Sequence, residues 1–187
     1  MTKTRDNSLT MNYSGKYGNQ FVYRVRDDVS ILAKKPRKTK KPTTEAQSEV
    51  REYFTEAARW AKKALQNPEL LALYSSQAKG MKTAFVIAVT NFMHPPVVRE
   101  INVSEYTGAK TDRIRVKAFD NLYIKGVSLK ITDASGTLIE QGSCELDSLG
   151  SHWNYTATSE VPSITGLVIT AVAIDHPEHT GSLSRTL

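Results

Sequence analysis

Four residues near the carboxyl end have the types and spacing of metal ligands. His176 and His179 stand three residues apart, with Asp175 and Glu178 beside them. Imidazole nitrogens and carboxylate oxygens together suit a divalent cation. Pro177 sets the group in a turn between two candidate strands, and no further ligand follows in the chain. A polar loop is therefore the simpler reading, and no metal is expected. Cys144 is the one thiol, and His152 is near it in sequence. A working nucleophile needs a base that a third group orients. Cys144 instead lies in a predicted strand among alternating apolar residues, where a small buried filler is the expected role. No glycine-rich phosphate loop, paired-carboxylate motif or zinc quartet is present. The chain thus reads as a non-enzyme, with no catalytic residue, no cofactor and no small-molecule substrate. Asn12-Tyr13-Ser14, Asn102-Val103-Ser104 and Asn154-Tyr155-Thr156 match the glycosylation sequon and read as chance matches.

Binding chemistry is richer toward the amino end. Tyr13, Tyr17, Phe21 and Tyr23 crowd together beside Arg24 and Arg26. Tyrosine and arginine are the usual anchors of protein interfaces. The competing role for these rings is the apolar face of a hairpin packed on Phe54 and Trp60. A basic run follows, with Lys34, Lys35, Arg37, Lys38, Lys40 and Lys41 interrupted by Pro36 and bounded by Pro42. Such cations can neutralise nucleic-acid phosphates, with affinity that falls steeply in salt. The prolines favour extended backbone, which equally suits a connector or an arm laid along another subunit.

These residues must be positioned by local elements. Met1 to Asn12 reads as a polar tail, and Tyr13 to Asn19 as a segment of turn formers. Phe21, Tyr23 and Val25 alternate with Val22, Arg24 and Arg26. After Asp27-Asp28, Val29, Ile31 and Ala33 alternate in turn, which predicts a β-hairpin. Thr44-Glu45-Ala46-Gln47 has the form of a capping box. Val50, Phe54, Ala57, Ala61, Ala64 and Leu65 then follow at helical spacing, so a helix is predicted over 44–66. Asn67 caps a second helix with Pro68 at its first position and Gly80 at its end. A third runs from about Lys82 to Met93. Beyond Pro95-Pro96, strands are predicted near 98–103, 113–119, 125–132, 137–145, 152–158, 166–174 and 180–186, with turn signals between them.

The 187 residues suffice for one ordinary domain or two small ones. The net charge is +6, divided unevenly: residues 1–96 carry +9 and residues 97–187 carry −3. With the proline pair as a stiff linker, the expected division is a basic hairpin and helical module over 1–96 and a β module over 97–187. A single cysteine excludes an intrachain disulfide framework. The longest apolar run, Ala84 to Val89, is too short to span a bilayer, so no membrane role is expected. The first twenty residues lack the apolar core of a secretory signal, which predicts synthesis in the cytoplasm without a signal peptide.

Residues 97–187 resemble a bacterial immunoglobulin-like domain of the cysteine-free kind. The segments that carry the likeness are Ile114-Arg115-Val116-Lys117-Ala118-Phe119-Asp120, Val127-Ser128-Leu129-Lys130-Ile131-Thr132-Asp133 with Gly136, Trp153-Asn154-Tyr155-Thr156-Ala157, and Ile169-Thr170-Ala171-Val172-Ala173-Ile174-Asp175. The resemblance implies a rigid spacer or binding surface. It also implies that Asp120 and Asp175, at strand ends, occupy positions that in some related sandwiches bind calcium between domains. Ser14-Gly15-Lys16-Tyr17-Gly18-Asn19-Gln20-Phe21-Val22-Tyr23-Arg24, followed by Lys35-Pro36-Arg37 and a Gln- and Phe-bearing amphipathic helix, resembles the start of a group of uncharacterised bacterial and phage-associated proteins. The same region, with Phe21, Tyr23 and three helices after a basic proline-containing strand, also resembles a high-mobility-group box, which implies minor-groove DNA binding.

Taken together, an α+β chain of two modules is expected. The first is an amino-terminal β-hairpin plus three short helices. The second is a carboxy-terminal all-β immunoglobulin-like antiparallel sandwich. The expected function is structural: the first module docks into a homo-oligomer or larger particle, phage-like or filamentous, by strand addition or hairpin docking through residues 13–33, and displays the second. One alternative is a nucleic-acid-binding protein that uses residues 34–41 and helix 44–66. The other is a sandwich that binds a ligand or glycan through its loops.

Overall fold

Among the described residues of the computed structural model of this α+β chain, period-two alternation builds three four-stranded antiparallel sheets and 3.6-residue spacing builds three helices. The structure describes residues 2–4, 13–26, 29–36, 42–80 and 82–187. Among the described residues no sheet closes into a barrel. Among the described residues no helix is long and apolar enough to cross a membrane. Two compact units are present, Met1–Val89 and Thr90–Leu187.

In the first unit, β1 (Thr2–Thr4), β2 (Gly15–Tyr17), β3 (Phe21–Arg26) and β4 (Val29–Lys34) form a sheet in the order β1-β4-β3-β2. β3 and β4 are the expected hairpin, in register from Phe21 opposite Lys34 to Arg26 opposite Val29. The Asp27-Asp28 turn lies outside the described residues. Two expectations need correction. Part of the supposed polar tail is a strand, because Thr2–Thr4 pairs with β4. Part of the supposed turn segment is also a strand, because Gly15–Tyr17 pairs with β3 and leaves only residues 18–20 to turn. The cause is common to both. A hairpin alone leaves a row of unpaired N–H and C=O groups on each outer edge, and any extended neighbour satisfies them.

Helix α1 (Glu45–Ala64) starts where the capping box requires: Gln47 N–H donates to Thr44 Oγ1, and Thr44 N–H donates to the Gln47 side chain, both at 3.4 Å. Helix α2 (Pro68–Ser76) is capped by Asn67, whose Oδ1 accepts from Glu69 N–H at 2.9 Å. It stops before Gly80, which is instead a turn residue at φ +58°. Helix α3 (Ala84–Met93) is capped by Thr83, whose Oγ1 accepts from Val86 N–H at 3.3 Å. The first unit buries Ala57, Ala61, Ala64, Tyr74, Ile87, Ala88 and Val89 from these helices, and Trp60 meets the Tyr74 ring edge-on at 6.3 Å.

The second unit holds two sheets. β5 (Val97–Asn102), β6 (Arg113–Phe119), β10 (Trp153–Thr156) and β9 (Glu145–Leu146) form one, in the order β5-β6-β10-β9. β12 (Thr180–Thr186), β11 (Val168–Asp175), β7 (Ile124–Thr132) and β8 (Leu138–Ser143) form the other, in the order β12-β11-β7-β8. Every predicted strand of residues 97–187 is present within a residue or two, except that 137–145 breaks at Cys144 into β8 and β9. Inward rows from both sheets meet in one core: Val98 and Ile101, Ile114 and Val116, Val127, Leu129 and Ile131, Tyr155, and Ile169, Ala171 and Ala173. Each large aliphatic side chain in such a core contributes about 1.5–3 kcal/mol.

Bulges tune this pattern. An extra residue at Arg99 breaks the β5–β6 register, so Val98 and Ile101, three apart, both face inward. The freed Arg99 guanidinium stacks on Phe119 at 4.6 Å. A similar break between Ile131 and Thr132 leaves Ile139 as the extra residue and turns Leu138 outward, while Glu140, opposite Ile131, keeps the inward phase of Gly142. Along one seam β5 lies beside β12. There Gly181 approaches the Pro96 carbonyl so closely that a Cβ would stand 1.9 Å from its oxygen.

Candidate functional site

The first unit's sheet sorts the amino-terminal aromatics and cations onto opposite faces. Cross-strand partners share a face. Tyr17 is opposite Phe21, Phe21 is opposite Lys34, and Tyr23 lies between Gly15 and Leu32. Tyr13 joins this face: its ring centroid is 6.3 Å from that of Tyr23, and the Tyr17 ring is 6.1 Å away on the other side, edge-on. Gly15 has no side chain to separate them. Tyr13 is 60% exposed, Tyr17 67% and Phe21 37%. Arg24 and Arg26, one residue out of phase, fall on the opposite face with Lys16 and Val22. The six expected interface residues are therefore two groups, an open aromatic cluster and a cationic pair behind it.

The basic run is only partly described. Lys34 is exposed at the end of β4. Lys35 is tied back to the turn before β3: its Nζ donates to Asn19 Oδ1 at 2.8 Å and its N–H to Gln20 O at 2.7 Å. Arg37, Lys38, Lys40 and Lys41 lie outside the described residues.

Helix α1 adds a surface that the sequence pattern conceals. Its apolar stripe is continuous, but only the carboxyl-terminal half is covered, by burial of Ala57, Ala61 and Ala64. In the amino-terminal half Val50 is 60% and Phe54 51% exposed. Phe54 is thus not the buried platform that hairpin packing would need. Helical spacing shows which residues share a face and says nothing of whether the face is met.

In the second unit the chemically suggestive residues are spent on structure. Asp175 ends the inward row of β11 and is fully buried. Its Oδ1 accepts from His179 N–H at 2.7 Å, and Oδ2 is 3.6 Å from His179 Nδ1. The His179 ring sits edge-on to Phe92 at 4.5 Å. Burial raises the Asp175 carboxyl, and the Asp120 charge adds to the rise. Burial likewise raises Asp120, although its Oδ1 accepts from Asn121 N–H at 2.6 Å. Glu178 pairs with Lys125 at 3.7 Å. Among the described residues no three His, Cys, Asp or Glu side chains are grouped to hold a metal.

The thiol of Cys144 is buried, and burial pushes its pKa up to about 12, far from a reactive thiolate. Asp147, Ser151 and His152 have the composition of a triad without its wiring. Ser151 Oγ lies 2.9 Å from His152 Nδ1 and donates to Asp147 Oδ2 at 3.0 Å, while the same Nδ1 is the ring nitrogen that faces Asp147, at 3.7 Å from Oδ2. A catalytic histidine bridges acid and nucleophile through its two different nitrogens. Here all three close a turn in which Asp147 Oδ1 accepts from Ser151 N–H and His152 N–H.

Two features had no sequence signal. Glu140 is buried, and its Oε2 accepts from Thr158 N–H, Thr158 Oγ1 and Ser159 N–H at 2.6–2.9 Å. A groove of about 380 Å³ runs beside the β6–β7 turn and is lined by Phe119, Asp120, Tyr123, Leu146, Ser151 and Trp153. Its residues come from three separate chain segments, which only the fold unites. Comparison with protein-family models, curated proteins and solved structures gives no match to this chain.

Proposed function

We propose that the chain is a non-enzymatic structural protein whose first unit docks onto further copies or onto a larger particle, phage-like or filamentous, and that its second unit is an immunoglobulin-like sandwich displayed there. The observation that carries this reading is the open aromatic cluster of Tyr13, Tyr17, Phe21 and Tyr23. At about 200 Å² per aromatic side chain, the exposed fractions amount to roughly 300 Å² of aromatic surface. That is the size of a functional patch on a monomer. Such rings lose little conformational entropy on docking and bury much area, which is why they dominate interface energetics. Light scattering on size-separated full-length chain tests the reading. A mass of at least two chains is expected, falling toward one in Tyr17→Ser/Phe21→Ser. A monomer at every concentration, with the double variant indistinguishable from it, removes docking onto further copies.

The groove beside the β6–β7 turn favours a second reading, a ligand- or glycan-binding role for the second unit. Aromatic walls with a carboxylate and a hydroxyl are the elements of a sugar platform. Trp60→Phe leaves Trp153 as the sole indole. Titration of that variant with oligosaccharides should change its fluorescence, and no response to neutral, acidic and amino sugars removes this reading.

A further inference from the structure

The groove beside the β6–β7 turn is where an inward row of the second unit runs out. Trp153 lies opposite Val116 in β6 and opposite Leu146 in β9, so the three share the inward face. Val116 is fully buried, Trp153 is partly buried and Leu146 is exposed. Phe119 and Tyr123, both exposed, bring two further rings to the same groove. Its volume of about 380 Å³ is at the small end of ligand pockets, which run from about 300 to 1,000 Å³, so it takes one small molecule rather than a polymer.

The charge of the lining selects the guest. Among the described lining residues Asp120 carries the one formal charge. His176, a basic side chain that acts on Asp120, lies outside the lining. Burial and the Asp120 charge together raise the Asp175 carboxyl, so two acids crowd this end of the unit. Aromatic faces are also negative. The Arg99 guanidinium already lies over the Phe119 ring at 4.6 Å, so one wall of the groove holds a cation in the folded chain. The carboxylate gives a field but no open acceptor. Its Oδ1 accepts from Asn121 N–H at 2.6 Å, and its Oδ2 is buried with no hydrogen-bond partner. Ser151 Oγ is turned to Asp147. A primary ammonium would have to trade water for acceptors that are taken or covered, at the cost of leaving N–H groups unpaired. A quaternary ammonium has no N–H to satisfy, and ring faces and a buried negative charge both attract it.

We infer that this groove binds a small organic cation of the quaternary-ammonium class, seated against Tyr123 and Trp153 and held by the ring faces and the field of Asp120. The inference rests on the ligand-binding reading of the groove given above and narrows it to one chemistry.

Full-length Trp60→Phe, in which Trp153 is the sole indole, is titrated with choline and with its uncharged isostere, in which carbon replaces the nitrogen. Saturation-transfer NMR reads the same binding from the ligand methyl protons, so the result does not depend on the indole alone. Saturable choline binding at least tenfold tighter than that of the isostere is expected. Asp120→Asn keeps an acceptor for Asn121 N–H and removes the charge, so it should weaken choline about tenfold and leave the isostere unmoved. Tyr123→Leu keeps an apolar wall and removes a ring face, and should act in the same direction. Equal affinity for choline and isostere, or choline affinity unchanged in both variants, overturns the inference. A response to oligosaccharides with none to choline also overturns it and leaves the ligand-binding reading in place. No binding of choline, isostere or oligosaccharide removes both.

Discussion

Replacing Gly181 by alanine tests the seam between β5 and β12. The added Cβ would sit 1.9 Å from Pro96 O, 2.8 Å from Pro96 C and 3.3 Å from Val97 Cα. All three are backbone atoms, so no side chain can swing aside. Real Cβ atoms essentially never approach within 3.0 Å, so the two strands must part by about 1 Å. Overpacking of this kind costs about 1–3 kcal/mol, and a backbone obstruction belongs at the upper end. At about 4–8 °C per kcal/mol for a unit of this size, a loss of about 3 kcal/mol lowers Tm by roughly 12–24 °C. Gly126 in β7 is the matched control. A Cβ there meets only Ile174 Cγ2, at 3.9 Å. Gly126→Ala should be neutral or gain about 0.4–1 kcal/mol by restricting the unfolded chain. Thermal melts of the full-length chain followed by β-sheet circular dichroism compare the two. If Gly181→Ala melts within 2 °C of Gly126→Ala, the seam is not closed as described and the reasoning is wrong.

Two further outcomes follow from the buried carboxylates. Glu140→Ala should cost about 3 kcal/mol in urea unfolding, because it strands the Thr158 and Ser159 donors, while Glu140→Gln keeps an acceptor and should cost about half as much; equal losses would show that the three bonds do not carry the effect. Asp175 is held above its ordinary value of 3.8 by burial, so its ionisation opposes folding. The stability it allows is full below the ordinary value and is lost as pH rises through the folded one. Asp175→Asn should therefore gain on wild type in Tm from pH 4 to pH 7, and parallel curves would refute this.

Most of the second unit's strands are legible in the sequence because their inward rows are pure: Ile114 and Val116, or Ile169, Ala171 and Ala173, leave one solution for the pleat. Arg99 and Ile139 mark where legibility ends, since a bulge changes phase without changing composition. In the first unit, Gly15-Lys16-Tyr17 reads as turn chemistry and becomes a strand because the hairpin edge beside it lacks partners. The separation of Tyr23 from Arg24 was present in the alternation itself, as parity, but grouping residues by proximity along the chain hid it. The exposure of Val50 and Phe54 was not legible at all, because a helical period records which residues share a face and nothing about what they meet.

The alanine-rich interior of the first unit has a calorimetric consequence. Ala57, Ala61, Ala64 and Ala88 withdraw little apolar area from water, whereas the second unit buries Ile114, Leu129, Ile131 and Ile169. Two heat-absorption peaks are expected, with the first unit melting earlier. On the self-association proposed above, a tenfold increase in chain concentration should add up to about 1.4 kcal/mol to the earlier peak, roughly 6–11 °C, and leave the later one in place, because mass action protects only the part that engages a neighbour. On the proposed self-association, the unit expected to melt first would also be the one whose endurance depends on company.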